Sequence, residues 1–335
     1  IAATHLVEWA GKPQLTAYTA AAEGWGTPVA GGTAAPGTPY EFAIPLTAFG
    51  ELEPGDDLRL VVAVQPQNQL LPGGGPGQII LPDLTQSKTV MQITDPEGDD
   101  YGPGTYTYPT DSVFTSKNYD LKEFRVSTDD KNILFKFSFG GAVPNPWGSG
   151  INLSIQTLDI YIDKDPGAGT GARLLLPGRN AALSKENGWE YAVWAEGWTP
   201  QIVVPDAKTG SPVELTGASF KILVDPAART VLLRVPKSAF GDGDPAKWGY
   251  AAVVLGQEGY PSAGVWRVRD VEEKAAQWRF GGAPADTNHT RIIDLIWPGD
   301  KSPSQKDFLS KYTSSKAEVG TLKPDDFAQI PLLLP

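Results

Sequence analysis

Cysteine is absent from this 335-residue chain, methionine occurs once and histidine twice. The first absence excludes disulfides and thiolate chemistry, so the fold must stand on its packing, helped at most by bound ions. Zinc needs nitrogen or sulfur ligands, and His5 and His289 alone, far apart in sequence, do not make a zinc site. A Ser-His-Asp triad would have to use one of these two histidines, and neither has a Gly-x-Ser-x-Gly neighbourhood. A basic run is also missing, and the net charge is −11. That excludes nucleic acid and an anionic membrane surface as natural partners. No apolar run approaches the ~20 residues of a membrane-spanning helix, so no membrane insertion is expected.

What is present is a foldable, turn-rich chain. Hydrophobic residues make up 41%, with 37 glycines and 30 prolines, as expected of many short strands joined by turns. Residues 120–126 and 132–139 alternate apolar and polar, with Asp129-Asp130-Lys131-Asn132 as the turn between them. Further strands are read at residues 90–93, 154–163, 190–196, 201–204, 220–224, 231–235 and 250–255, with a late one at 264–269. In 154–163 the apolar residues depart from strict alternation. Residues 304–314 are the best helix candidate, and the apolar 330–334 segment is expected to dock on the core.

The organising stretch is Asp95-Pro96-Glu97-Gly98-Asp99-Asp100-Tyr101, followed by Tyr106 and Tyr108. Its prolines and glycines exclude a helix. Carboxylates this dense repel unless a cation or backbone donors neutralise them, and hard oxygen ligands suit Ca²⁺. The other reading is a solvated acidic turn. For a calcium site the residues are Asp95, Asp99, Asp100 and Asp120, the last opening the next strand. A second acidic group, Asp159, Asp163 and Asp165, runs into a Gly-rich turn. It has no Gly-Lys-Thr ending, which rejects a phosphate loop, and Asp163 reads better as a turn-capping residue than as a ligand.

The N-terminal part repeats features of the remainder. Residues 40–50 resemble 231–241, each an alternating apolar strand, a proline and a short turn closing at Phe-Gly. Leu6-Val7-Glu8-Trp9-Ala10 resembles Tyr191-Ala192-Val193-Trp194-Ala195. The offset, roughly 185–190 positions, implies tandem domains rather than a solenoid. Residues 1–87 therefore read as the C-terminal half of a first β-sandwich, and 88–335 as a complete second copy. Half a sandwich leaves an edge and an apolar face open, so an upstream segment or a partner chain is expected to complete it.

The acidic stretch also carries a family resemblance, joined by Asn145-Pro146-Trp147-Gly148, Gln156-Thr157-Leu158-Asp159-Ile160-Tyr161-Ile162-Asp163, Gly178-Arg179-Asn180-Ala181, Trp189-Glu190-Tyr191-Ala192, Glu196-Gly197-Trp198 and Ile292-Ile293-Asp294-Leu295. Over roughly residues 88–335 the chain resembles the C-terminal module of glucodextranase, which recurs in amylopullulanases and other secreted glucan-degrading proteins. The resemblance implies an all-β antiparallel sandwich, akin to family 9 carbohydrate-binding modules and DOMON domains. It implies a non-catalytic, extracellular or cell-surface accessory module binding α-glucan or a cell-wall polysaccharide. Related sandwiches carry haem, but only His5, His289 and Met91 could ligate it here, and none is expected. A structural module of a surface layer or filament is the alternative. A glycosidase fragment stands third: 39 acidic residues make carboxylate pairs inevitable, but the resemblance counts against it. No catalytic residue is assigned. Sugar binding calls for flat aromatic faces, and the 10 tryptophans and 11 tyrosines compete with core packing for each assignment. Position in loops and strand ends selects Trp147, Trp198 and Tyr108, with Tyr106 and Trp189 behind them.

Overall fold

The computed structural model describes residues 4–10, 13–35, 41–49, 57–64, 69–71, 77–80 and 87–335. The chain divides into two compact units, residues 1–85 and 86–335. In the first, His5–Glu8, Gln14–Thr19, Val29–Ala35 and Glu41–Ala43 form an antiparallel meander in chain order. Two short ladders follow, Asp57–Leu60 with Gly77–Ile80 and Val62–Val64 with Gln69–Leu71. Leu15 and Ala17 alternate inward, while Trp25, Val29 and Phe42 stay exposed.

In the second unit the strands are β1 (Lys88–Thr94), β2 (Leu121–Thr128), β3 (Asn132–Phe139), β4 (Gln156–Asp163), β5 (Ala181–Leu183), β6 (Tyr191–Ala195) and β7 (Gln201–Pro205). They continue with β8 (Pro212–Glu214), β9 (Lys221–Asp225), β10 (Thr230–Pro236), β11 (Gly249–Gly256), β12 (Asp294–Leu295) and, after helix α1 (Gln305–Leu309), β13 (Ala328–Ile330). One sheet has the order β9-β10-β3-β2-β1 and the other β8-β7-β6-β4-β11-β12, every neighbouring pair antiparallel. Phe124, Val126, Phe135, Phe137, Leu233 and Val235 from the first sheet meet Leu158, Ile160, Ile162, Val193, Ala252 and Val254 from the second in one core. The second unit is thus an all-β sandwich of the expected class. Burying each of these side chains other than Ala252 contributes about 1.5–3 kcal/mol, which is how a cysteine-free chain holds two sheets together.

The second sheet is covered on both faces. Every residue of β4 and β11 is buried. Leu158, Ile160 and Ile162 face the sandwich core. Tyr161, Trp194, Ala251, Val253 and Leu255 face a further layer containing Leu175, Leu176, Leu183, Trp189, Phe308 and Ile330. This is the physical reason 154–163 does not alternate: alternation marks a wet face, and β4 has none.

Two expectations fail. Residues 264–269 form no strand; only the single bridge from Gln257 to Val268 is made there. The helix is confined to Gln305–Leu309, opened by a capping box between Ser304 and Asp307. Beyond it, Asn288 takes the carbonyl of Thr313 and the N–H of Ser315, and Tyr312 donates to Asp286. These tertiary bonds replace the helical ones. The C-terminal segment does dock: β13 pairs in parallel with β5, and Leu333 pairs with Tyr250, though Leu334 remains exposed.

The likeness between residues 40–50 and 231–241 extends to local form. Glu41–Ala43 leads into a 3-10 turn at Leu46–Phe49, as Thr230–Pro236 leads into one at Lys237–Phe240. Tyr40 and Gly50 lie outside the described residues. Sheet membership differs, because His5–Glu8 and Glu41–Ala43 share one sheet whereas β6 and β10 belong to different sheets.

Candidate functional site

Two features meet at one end of the sandwich. The first is the acidic cluster. Asp95 follows β1, donating its backbone N–H to Lys122 at 2.9 Å and accepting from the Trp297 N–H at 2.6 Å. Asp120 immediately precedes β2 and accepts from the Gly98 N–H at 2.8 Å. Asp294, in β12, accepts from the N–H groups of Leu121 and Leu295, both at 2.8 Å. Asp99 is held by its carbonyl, which accepts from Gln305 at 2.9 Å, and Asp100 accepts from the Tyr108 hydroxyl. A register shift lies between Leu121 and Glu123, beside Asp120. Such a bulge re-aims residues at a strand's start.

One carboxylate oxygen from each of Asp95, Asp99 and Asp294 lies within 4.8 Å of the others. Asp95 is 5% exposed and Asp120 and Asp294 are fully buried. Burial raises the Asp95 carboxyl to about 9; the Trp297 N–H opposes the rise, and Asp99 and Asp120 add to it. Burial and then Asp120 bring Asp99 to about 6. Burial also raises Asp100 and Asp120, and pushes Asp294 well above the carboxylate range. A raised carboxyl would suit a general acid, but Asp95, Asp100, Asp120 and Asp294 are buried and only Asp99 is half-buried.

The second feature is aromatic. Trp147 rides on the turn after β3, which Asn145 closes by bonding the carbonyl and the N–H of Ser149 at 2.9 and 2.8 Å. Its ring meets Phe114 and Trp278 edge-on at 6.1 and 6.2 Å, and Phe114 meets Trp278 at 6.0 Å. The Arg269 guanidinium lies over Phe114 at 5.1 Å and over Trp147 at 5.4 Å. Arg269 donates to the carbonyls of Trp278 and Gln257 and faces Glu258 at 3.3 Å; Arg279 reaches the same carboxylate at 2.6 Å. The other Glu258 oxygen accepts from the Tyr260 N–H at 3.0 Å. Trp198 is placed by Glu196, which accepts from the N–H groups of Trp198 and Thr199 and from Gln257. At Gly197 a Cβ would stand 2.0 Å from the Leu153 carbonyl and 2.8 Å from the Ser149 side chain, so the Trp198 turn packs closely on the segment that follows Trp147. Trp278 is 37%, Trp198 42% and Tyr260 91% exposed.

Tyr108 joins the two features. Its hydroxyl donates to Asp100 and accepts from the Tyr119 N–H at 3.1 Å, and its ring packs on Phe280, two residues from Trp278. Across this whole fold, from residue 90 to 324, runs a match to the C-terminal, SLH-like binding module of glucodextranase. The chain belongs to that family. No curated protein matches it.

Within this module the five aromatic candidates separate. Trp198 and Trp147 lie on loops at the aromatic end. Tyr106 and Trp189 are interior: the Tyr106 hydroxyl donates to the Thr290 carbonyl at 2.5 Å and the Trp189 indole to Leu174 at 2.8 Å. Neither presents a ring face to solvent, and both hydrogen-bonding groups are spent inside. Tyr108 is half-buried among Tyr119, Phe280 and Tyr101, so it supports the site from behind. Of the acidic candidates, Asp95 and Asp99 converge on Asp294, with Asp100 and Asp120 alongside. Asp294, Tyr260, Glu258 and Arg269 are not singled out in the sequence, and Trp278 is one of several aromatics at loops or strand ends that are not selected. Asp294 carries a signal too, as the one acid within the apolar run Ile292-Ile293-Asp294-Leu295.

His289 and the second acidic group are held in place by hydrogen bonds. His289 lies between Asp286 and the Val271 carbonyl, at 3.1 and 3.0 Å. Asp163, Asp165 and Glu190 bring oxygens within 4.8 Å of one another, but each already accepts: Asp163 from Asp165 and Gly188, Glu190 from Lys164 and Thr170, Asp165 from Thr170.

Proposed function

We propose that the second unit is a non-catalytic carbohydrate-binding accessory module that seats sugar rings on Trp147, Trp278 and Trp198, with Tyr260 at the margin. The observation that carries this reading is the group of exposed rings, Trp278, Trp198 and Tyr260, with the half-buried Trp147 held against Arg269, beside the ion cluster of Glu258, Arg269 and Arg279. A pyranose offers an apolar C–H face and a rim of hydroxyls. An indole face covers the first, while Arg279, 29% exposed and fixed by Glu258, supplies donors for the second. Membership in a family described from glucodextranase supports α-glucan as the ligand class and an extracellular or cell-surface setting, where such polysaccharide is met. Calcium at the acidic cluster would serve the loops and not chemistry.

Affinity electrophoresis in gels containing amylopectin or dextran tests this. Wild type should be retarded by one of them, and Trp278→Ala should migrate as in a gel without polysaccharide. Unretarded wild type in both gels, with assembly that grows with concentration, would favour the other reading, a surface-layer or filament module. That reading draws on the SLH-like description and on the exposed Trp25, Val29 and Phe42 of the first unit.

A further inference from the structure

We propose that Asp95, Asp99 and Asp294 are the ligands of a resident hard divalent cation of the calcium class, with Asp100 and Asp120 as its flanking acids. The placement of three carboxylate oxygens within 4.8 Å of one another suits ligands arranged around one ion at about 2.3–2.6 Å each. An independent observation points the same way. Four buried oxygens, Asp95 Oδ2, Asp99 Oδ1, Asp100 Oδ1 and Asp120 Oδ2, have no hydrogen-bond partner. Asp95, Asp100 and Asp120 are all more than nine-tenths buried. Buried carboxylates cost several kcal/mol each unless something positive or donating meets them.

Among the described residues no cation forms an ion pair with these carboxylates, though Lys117 is near enough to oppose the rise of Asp100 and Asp120. Lys117 and Lys122 stand at the rim, and both turn to Glu97, with side chains 39% and 47% exposed. The donors at the centre are all carboxylate oxygens. That chemistry selects a hard ion over zinc or copper. The geometry also explains what the ion would do. Asp95 ends an edge strand of one sheet, Asp294 belongs to an edge strand of the other, and Asp99 is on the intervening loop. One cation would tie both sheets and the loop that leads to Tyr108.

The experiment uses the full chain stripped with chelator and then titrated with CaCl₂, MgCl₂ or TbCl₃. Wild type should bind one Ca²⁺ per second unit by calorimetry, and its melting temperature should rise with Ca²⁺ more than with Mg²⁺. Terbium emission sensitised by the neighbouring Tyr108 and Trp297 should appear and be displaced by Ca²⁺; this arm needs no variant. Asp294→Asn should weaken Ca²⁺ at least about tenfold, while Asp165→Asn, in the second acidic group, should leave it unchanged. No calcium heat and no sensitised emission from wild type would overturn the proposal. So would calcium binding that survives Asp294→Asn and Asp95→Asn but is lost in Asp165→Asn.

Discussion

At Asp159 and Arg179 a single ion pair is sealed inside the layer behind β4. The guanidinium grips the carboxylate at 2.7 and 3.1 Å, Tyr161 adds a hydroxyl at 2.9 Å, and Arg179 also donates to the carbonyls of Pro177 and Trp266 at 3.0 and 2.7 Å. Removing one partner strands the other, so Asp159→Ala should cost about 3–5 kcal/mol in urea unfolding, whereas Asp159→Leu with Arg179→Met should cost far less. Asp163 sits at the end of the same strand, and burial raises its carboxyl from 3.8 to about 6. In that window the folded protein holds the proton more tightly than the unfolded chain does. Stability therefore falls as pH rises from 3.8 to about 6. Wild type should lose stability relative to Asp163→Asn across this range and keep a constant difference above it, as read from urea midpoints. Single residues were the least legible level in the sequence. Asp95 and Asp99 were found because they lie in one acidic word. Asp294 is nearly two hundred positions away and reaches them only through sheet pairing, which no local pattern encodes.

Elements were more legible, because period and turn chemistry are local. The strands of 132–139 and 201–205, the Asp129 turn and the 3-10 turn after Pro236 follow directly from alternation, Asx capping and proline. The long helix was misread where the Asn288 side chain took the backbone's partners, and the strand at 264–269 where the backbone bonds several separate segments, Trp266 to Pro177 and Arg269 to Gly256, instead of one neighbouring strand. The end of β3 shows how tightly an element can serve a site. Gly140 follows Phe139, and a Cβ there would stand 2.3 Å from Asp120 Oδ2. Gly140→Ala should push Asp120 out of place, lowering stability by about 1–3 kcal/mol and weakening Ca²⁺ uptake. Thermal melts with and without Ca²⁺ check both. The Trp147 turn depends on Asn145 in the same way, and Asn145→Ala should reduce glycan affinity without touching the indole itself.

For the whole molecule, sheet class and family were readable from composition, alternation and ordered motifs, and the second unit is the sandwich they imply. Apart from the docked 330–334 segment, what could not be read was the layer covering the second sheet, since its loops, the three-residue β5 and the five-residue α1 are too short to show a period. That layer turns β4 and β11 into a two-sided interior and leaves the open work to the loops at one end. There Asp100, Tyr108 and Phe280 make one chain of contacts, and Phe114, Trp147 and Trp278 make a second, with Trp278 two residues from Phe280 in sequence. Calorimetric titration of the calcium-loaded chain with a maltooligosaccharide tests the central claim most directly, using wild type, Trp147→Ala and Trp278→Ala with matched melting curves. Saturable binding by wild type, weakened roughly tenfold or more in each variant as expected of an aromatic anchor, is the predicted result. Binding that both variants retain at full strength, or none by the folded wild type to any glucan tried, would contradict it.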